Sequence, residues 1–234
     1  MNLLLISNST MPGEPFLDYP KSEIKNFIGN QALNIVFIPY AAITFSYNEY
    51  EQKVIERFNE IGHTIKSIHH FNNPIKAITD ANCIVVGGGN TWQLTRLLRE
   101  KQLLQTIRKK VLSGTPYIGW SAGANIACPS IKTTNDMPII DPLGFDALSL
   151  VSFQINPHYL DANPNGHAGE TRQQRIEEFL ELNQQITVAG LREGTMLKLE
   201  NNQLKLIGNR SMRIFNYNKT PFEVNENDDL SFLI

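Results

Sequence analysis

A short apolar strand that runs into a Gly-x-Ser-x-Gly turn constrains the fold of this chain more than any other stretch. The segment reads Tyr117-Ile118-Gly119-Trp120-Ser121-Ala122-Gly123-Ala124-Asn125. In a nucleophile elbow a strand meets a helix so sharply that the central serine is strained, and flanking glycines avoid clashes. The pattern predicts that Ser121 projects from a sheet edge beside a helix N-terminus, which favours an anion. The alternative is a serine in an ordinary glycine-rich turn.

Buried strands alternate with helical patterns before this turn. Apolar runs predict strands at 3–6, 34–38, 64–68, 83–86 and just before Ser121. Helical patterns cover 22–28, 47–61, 74–80 and 91–112, the last one broken near Glu100. This alternation predicts a doubly wound, mostly parallel α/β sheet flanked by helices on both faces. We expect one α/β domain over residues 1–234, a length that suits one large domain.

The pattern changes after the turn. Loops and short strands are predicted at 133–136, 138–141 and 148–155, and a polar loop at 156–170. A helix at 171–182 and a strand at 186–191 follow, and 196–199 pairs with 204–207 as a hairpin. The C-terminal third is therefore expected to contain antiparallel strands that complete the edge of the sheet.

Composition excludes several classes of function. The 234 residues carry 21 Lys+Arg and 23 Asp+Glu, a formal charge of −2, without a dense basic run. Nucleic acid and anionic membranes are therefore not expected partners. The N-terminus lacks the pattern of a signal peptide, no segment is apolar enough to span a bilayer, and two cysteines are too few for a disulfide framework. These features predict a cytoplasmic protein.

A serine nucleophile needs a histidine to take its proton, and the histidine needs an orienting carboxylate. His158 follows Pro157 in a polar segment after an apolar strand, which suits a side chain fixed at a sheet edge. It is favoured on that ground over His63, His69, His70 and His167. The candidate carboxylates are Asp136, Asp141, Asp146 and Asp161, and their spacing does not choose among them.

A second glycine-rich turn, Gly87-Gly88-Gly89, follows the strand at 83–86. A dinucleotide-binding pattern fails here because position 92 is Trp. Three glycines at a strand end let backbone N–H groups approach a ligand closely, as in an oxyanion hole. Ligands bind beyond the carboxyl ends of parallel strands, so both glycine-rich turns are expected to face one cleft.

Two further features bear on ligands. Arg172 and Arg175 open a predicted helix after the polar loop, and an arginine that reaches the cleft would bind a carboxylate. The alternative is an exposed helix face. Cysteine and histidine do not occur with the spacing of a zinc motif, so neither a metal nor another cofactor is predicted.

Several separate motifs together resemble the peptidase E (α-aspartyl dipeptidase) family. They are Leu5-Ile6-Ser7-Asn8-Ser9-Thr10, Val86-Gly87-Gly88-Gly89-Asn90-Thr91, Gly119-Trp120-Ser121-Ala122-Gly123-Ala124-Asn125, Thr133-Thr134-Asn135-Asp136-Met137-Pro138, Gln154-Ile155-Asn156-Pro157-His158 and Gly169-Glu170-Thr171-Arg172. The likeness extends to about residue 190, and the last forty-odd residues carry little that is specific. It implies a fold similar to that of class I glutamine amidotransferases, with serine in place of their elbow cysteine.

The resemblance implies hydrolysis of dipeptides with an N-terminal aspartate. Ser121 is then the nucleophile, His158 the base and Asp136 the orienting acid. The oxyanion is expected to bind the N–H of Ala122 and that of Gly88 or Gly89.

For the substrate aspartate, Arg172 is the expected anchor and Asn90 a weaker candidate. The resemblance leaves a monomer or a homodimer open. Rival functions are a related serine hydrolase of isoaspartyl or cyanophycin-like amide bonds, because elbow and triad do not encode the substrate pocket, and a non-catalytic ligand-binding relative.

Overall fold

The computed structural model describes residues 1–163, 166 and 168–234, so the candidate His167 lies outside the described residues. The strands are β1 (Leu3–Ile6), β2 (Ile35–Ile38), β3 (Ile65–Ser67), β4 (Cys83–Val86), β5 (Tyr117–Trp120), β6 (Gln154–Tyr159), β7 (Val188–Arg192), β8 (Met196–Glu200), β9 (Gln203–Ile207), β10 (Met212–Phe215) and β11 (Phe222–Val224). The helices are α1 (Lys21–Ile28), α2 (Tyr47–Glu60), α3 (Pro74–Asp80), α4 (Thr91–Glu100), α5 (Leu103–Leu112), α6 (Ala122–Asn125) and α7 (Arg172–Leu182).

The main sheet has the strand order β3-β2-β4-β5-β1-β8-β9. Its first five strands are parallel, and β8 and β9 add an antiparallel edge beside β1. The predicted α/β fold with a mostly parallel sheet and some antiparallel strands is confirmed. The predicted hairpin at the sheet edge is confirmed as well.

Both faces of the main sheet are buried because successive residues of each apolar strand point to opposite sides. In β2, Val36 and Ile38 join a core cluster with residues of α3, α4 and α5. Ile35 and Phe37 of the same strand join a second cluster with residues of α1 and α2. Continuous apolar runs therefore lie between two layers of helices.

The break in the long helical pattern near Glu100 is present. Helix α4 ends at Glu100, Gln102 has φ of 56°, and α5 begins at Leu103. A left-handed residue cannot continue an α-helix, so the two helices change direction there.

A second sheet, with the order β11-β10-β7-β6, was not predicted. Within it β6 and β7 are parallel, whereas β10 is antiparallel to both of its neighbours. Of the segments predicted as loops and short strands, 133–136 and 138–141 form loops. The strand predicted at 148–155 begins only at Gln154 and continues to Tyr159, into the segment predicted as a loop.

The parallel arrangement brings several strand ends to one edge. Because β4, β5 and β1 are neighbours, the residues after them, Gly87, Ser121 and Ser7, lie along the same carboxyl edge. In the described residues, we find no helix with the length and apolar character needed to cross a bilayer.

Candidate active site

The turn around Ser121 has the geometry of a nucleophile elbow. Ser121 has φ of 53° and ψ of −112°, outside the ordinary regions for a side-chain-bearing residue. A Cβ on Gly119 would lie 2.2 Å from the carbonyl oxygen of Gly123, and one on Gly123 would lie 2.2 Å from that of Val86. Glycine at both positions is therefore required for strand, turn and helix to approach this closely.

His158 is placed by a bulge in β6. Pro157 pairs with Leu191 and Tyr159 with Arg192, so His158 is an extra residue without a partner in β7. Its φ of 54° departs from the extended conformation of the strand. Bulges re-aim side chains at the edges of sheets, and this one turns the imidazole towards Ser121.

Ser7 fixes this bulge from the end of β1. Its buried hydroxyl donates to the carbonyl of Leu191 over 2.7 Å and accepts the backbone N–H of His158 over 2.9 Å. One side chain thus ties β1 to β6 and β7 at the residue that carries the imidazole. A buried hydroxyl with both partners satisfied stabilises this arrangement of the three strands.

Three side chains form a continuous hydrogen-bonded chain. His158 Nε2 lies 2.9 Å from Ser121 Oγ, and His158 Nδ1 lies 2.7 Å from Oε1 of Glu193. The side chains of His158 and Glu193 are 37% and 36% exposed, so the site is open to a small substrate. A serine, an imidazole and a carboxylate in this order can activate a hydroxyl for attack on a carbonyl.

The backbone on both sides of Glu193 is anchored. Gly194 N–H donates to Oδ1 of Asn8 over 2.8 Å, and the preceding Arg192 forms ion pairs with Asp161 and Glu223. These contacts hold the turn after β7, in which the Glu193 carboxylate lies within hydrogen-bond distance of the imidazole.

Asp136, predicted as the orienting acid, lies elsewhere. Its Oδ2 accepts the backbone N–H of Thr91 over 2.7 Å and the hydroxyl of Thr134 over 2.9 Å. Thr91 is the first residue of α4, so the carboxylate caps that helix, where negative charge is favourable. The structure therefore does not bring Asp136 to His158, and Glu193 occupies that place instead.

The other candidate side chains also have different partners. Asp141 accepts the N–H of Leu143, and Asp161 pairs with Arg192. The candidate His63 is buried, and its Nε2 lies 2.8 Å from the carbonyl oxygen of Gly29.

The glycine-rich turn after β4 adjoins the serine as expected. A Cβ on Gly88 would lie 2.9 Å from Cδ1 of Trp120 and 3.0 Å from Cβ of Ser121, so a side chain here would force its neighbours to shift. The carbonyl of Gly88 accepts a hydrogen bond from the Tyr50 hydroxyl over 3.0 Å, which fixes the peptide. Gly89 has φ of 134°, and its own Cβ would lie 2.3 Å from the carbonyl oxygen of Ala41. The backbone N–H of Ala122 opens α6 directly after the serine.

A polar cleft of about 290 Å³ lies beside the strand that carries His158. Its lining includes Lys132, Arg172 and Arg175, with Asp136 as the only acidic residue in that set. Burial and the nearby Arg175 lower the pKa of the Arg172 guanidinium. An anion bound in the cleft would offset both effects.

Asn90, the weaker candidate for substrate binding, is engaged within the protein. Its Oδ1 accepts the N–H of Gln93 as the N-cap of α4, and its Nδ2 donates to the carbonyl of Met137 over 2.9 Å. Both ends of the amide therefore form hydrogen bonds within the protein.

The buried Cys128 lies a few residues after the serine. Burial raises the pKa of its thiol to about 12, which keeps it protonated and unreactive.

Glu193 is not one of the carboxylates predicted from the sequence, the last of which is Asp161. The available signal is its place directly after an apolar strand, the position that also marks Ser7 and Ser121. In a parallel pair of strands, such residues meet at the carboxyl edge.

Comparisons with known proteins identify the family of this chain. Residues 3–207 match the model of Peptidase family S51. Peptidase E of Nostoc sp. is 52% identical over 232 residues, covering 99% of this chain and 96% of the relative. Peptidase E of Salmonella typhimurium is 48% identical over 215 residues, covering 92% and 93%. The crystal structure of a peptidase from an acI-B1 actinobacterium superposes with a TM-score of 0.71 at 16% identity, covering 99% of this chain and 96% of that one. The chain therefore belongs to peptidase family S51 and is a serine peptidase.

Proposed function

We propose that this serine peptidase hydrolyses dipeptides with an N-terminal aspartate through an acyl-enzyme on Ser121. The observation that carries the proposal is the hydrogen-bonded chain from Ser121 Oγ through His158 to Glu193, with distances of 2.9 and 2.7 Å. In this proposal Glu193 replaces Asp136 as the orienting acid, and Asp136 keeps its place at the N-terminus of α4.

The reaction follows from these positions. His158 Nε2 takes the Ser121 proton as Oγ attacks the peptide carbonyl, while Glu193 stabilises the imidazolium through Nδ1–H. The developing oxyanion is held by the N–H of Ala122 and that of Gly88, the glycine that lies against the serine, with Gly89 as the alternative. Imidazolium then protonates the leaving amine, and a water molecule activated by His158 hydrolyses the aspartyl ester.

Selectivity for aspartate is assigned to the cationic cleft. An arginine that is partly removed from water gains most from a carboxylate, because the guanidinium fork forms two charge-assisted hydrogen bonds. Arg172 is such an arginine in the cleft, because burial lowers the pKa of its guanidinium. We therefore place the side-chain carboxylate of the substrate aspartate beside Arg172.

A substrate panel tests the proposed activity. Purified enzyme is expected to cleave Asp-Leu at least about 100-fold faster, as kcat/KM, than Asn-Leu, because the neutral isostere cannot pair with the guanidinium. Glu-Leu, isoaspartyl-Leu and cyanophycin complete the panel. Preferred cleavage of an isoaspartyl or cyanophycin bond would contradict the proposal and identify the enzyme as the related serine hydrolase of these bonds. Labelling of Ser121 by a fluorophosphonate separates either enzyme from a ligand-binding relative.

Replacing Arg172 with alanine tests the anchor. We expect kcat/KM for Asp-Leu to fall about 100-fold, mostly through KM, because a partly buried charge pair loses one partner. Arg175→Ala is the matched control: this arginine is 58% exposed and lies 3.7 Å from Glu170, so a loss below about threefold is expected. Equal losses in the two variants, or none in either, would contradict the assignment.

Two further predictions accompany this function. A cytoplasmic location rests on the sparse cysteines, and both Cys83 and Cys128 are buried and free. A monomer or a homodimer is expected, which size-exclusion chromatography with light scattering measures.

A further inference from the structure

Three side chains with metal-binding atoms meet at the end of β3, the edge strand of the main sheet. Glu51 comes from α2, and His69 and His70 lie in the 3₁₀ turn at Ile68–His70 that follows the strand. Their candidate ligand atoms all lie within 4.8 Å of one another. The peptidase mechanism uses none of them.

Ser67 orients two of these three side chains. Its backbone N–H donates to Oε1 of Glu51 over 2.7 Å, and its buried hydroxyl lies 2.6 Å from Nδ1 of His69. These bonds leave Oε2 of Glu51 and Nε2 of His69 directed away from Ser67. Metal-binding imidazoles and carboxylates usually have such outer partners on their second polar atom.

The other polar atoms of the three side chains are hydrogen-bonded within the cluster or to Asn48. His70 Nε2 lies 2.5 Å from Oε2 of Glu51, and His69 Nε2 lies 2.8 Å from Oδ1 of Asn48. The two imidazole rings are close, with centroids 3.9 Å apart. A cation between these atoms would replace the hydrogen bond between His70 and Glu51.

We propose that Glu51, His69 and His70 bind a divalent transition-metal ion, with Zn²⁺ as the best fit. Two imidazole nitrogens and one carboxylate oxygen form a donor set that Zn²⁺ favours, and water or the Asn48 amide oxygen completes a tetrahedral site. The ion joins α2 to the segment after β3. Since β3 pairs only with β2 among the described strands, this contact stabilises an edge of the sheet.

Sequence spacing did not reveal this site because one ligand is distant along the chain. His69 and His70 are adjacent, and Glu51 precedes them on a different element. The pairing depends on how α2 packs beside β3.

Titration of the metal-free full-length chain tests the proposal. Calorimetry with Zn²⁺ and absorbance with Co²⁺ are expected to give one ion per chain, and the Co²⁺ spectrum should have the intensity of a tetrahedral site. Glu51→Gln retains the acceptor for the Ser67 N–H but loses the charged ligand, so affinity should fall at least about 10-fold. His69→Ala should have the same effect.

Glu56→Gln is the matched control, because it removes an exposed carboxylate from the same helix without touching the cluster. Its affinity for Zn²⁺ should equal that of the unmodified protein. Absence of binding at 100 µM Zn²⁺, or equal affinity in all variants, would overturn the proposal. Binding that survives Glu51→Gln and His69→Ala but is lost in Glu193→Ala would place the ion at the catalytic histidine and also overturn it.

Thermal unfolding provides a readout that does not depend on activity. Zn²⁺ at about 100 times its Kd is expected to raise Tm by on the order of 5 °C, since only the folded chain assembles the site. The increase should disappear in His69→Ala and persist in Glu56→Gln. The partly exposed His69 makes that variant the safer one if Glu51→Gln lowers the stability of the metal-free protein.

Discussion

Replacing Ser121 with alanine is expected to lower kcat for Asp-Leu about 10⁴-fold or more while KM changes little. Among the described residues, the Ser121 hydroxyl is the group that lies within hydrogen-bond distance of His158 Nε2, at 2.9 Å. Its loss removes the attacking atom. Residual turnover would come from the N–H groups of the oxyanion hole acting on water. Steady-state hydrolysis, followed by release of the free amino acid, measures the loss.

The fold should survive this change. The backbone of Ser121 keeps its bonds, in which its N–H donates to the carbonyl of Ile6 and its carbonyl accepts from Asn125. Alanine has the same difficulty with positive φ as serine, so the strain of the elbow is unchanged. The thermal midpoint is therefore expected to stay within a few degrees, as checked by circular dichroism. Ser22→Ala, an exposed serine on α1, serves as the matched control, and activity of Ser121→Ala within tenfold of it would refute the assignment of the nucleophile.

The main sheet could be predicted because its signals are local. Strand β4 is a run of four buried apolar residues bounded by polar residues and glycine, and its ends were predicted correctly. The elbow is equally local as a pattern, since Gly119, Ser121 and Gly123 lie within five consecutive residues. Gly119 is required by a contact with Gly123 inside the elbow, whereas Gly123 is required by the approach of Val86 at the end of β4. Helix α2 begins directly after its N-cap Ser46, whose capping box with Glu49 matches a sequence signature of helix starts.

The second sheet could not be predicted in this way. Strand β11 has three residues, two of them exposed, so neither an apolar run nor a clear alternation marks it. Strand β6 contains Pro157 and a bulge at His158, features that favour a loop when the sequence is taken alone. These strands form because partners distant in the chain pair with them.

The orienting acid shows the same limit within the site. The resemblance to the peptidase E family made Asp136 the expected choice, yet its contacts are with the start of α4. Glu193 meets His158 only because β6 and β7 are parallel neighbours whose ends coincide. The two assignments differ in residue type and in chain order, since Asp136 precedes His158 and Glu193 follows it. Neither difference excludes one of the two acids, and the pairing of β6 with β7 distinguishes them.

Replacing Glu193 with alanine is expected to lower kcat about 10³-fold or more, with a small effect on KM. Without the carboxylate, neither the orientation nor the tautomer of His158 is fixed, and the imidazolium formed during attack loses its partner. Glu193→Gln retains an oxygen that can accept from Nδ1–H and should lose less than Glu193→Ala. Steady-state kinetics of both variants across pH measures these effects.

Asp136→Asn is the decisive comparison, because it removes the charge of the competing carboxylate and leaves the His158–Glu193 contact intact. Its effect should fall on KM, since Asp136 lines the cleft with Arg172 and caps α4. A conservative variant distinguishes the two carboxylates further. Glu193→Asp shortens the side chain by one methylene, and a bridging water should restore part of the kcat that Glu193→Ala loses. A loss of kcat of about 10³-fold in Asp136→Asn, together with near-normal kcat in Glu193→Gln and Glu193→Ala, would return the orienting role to Asp136.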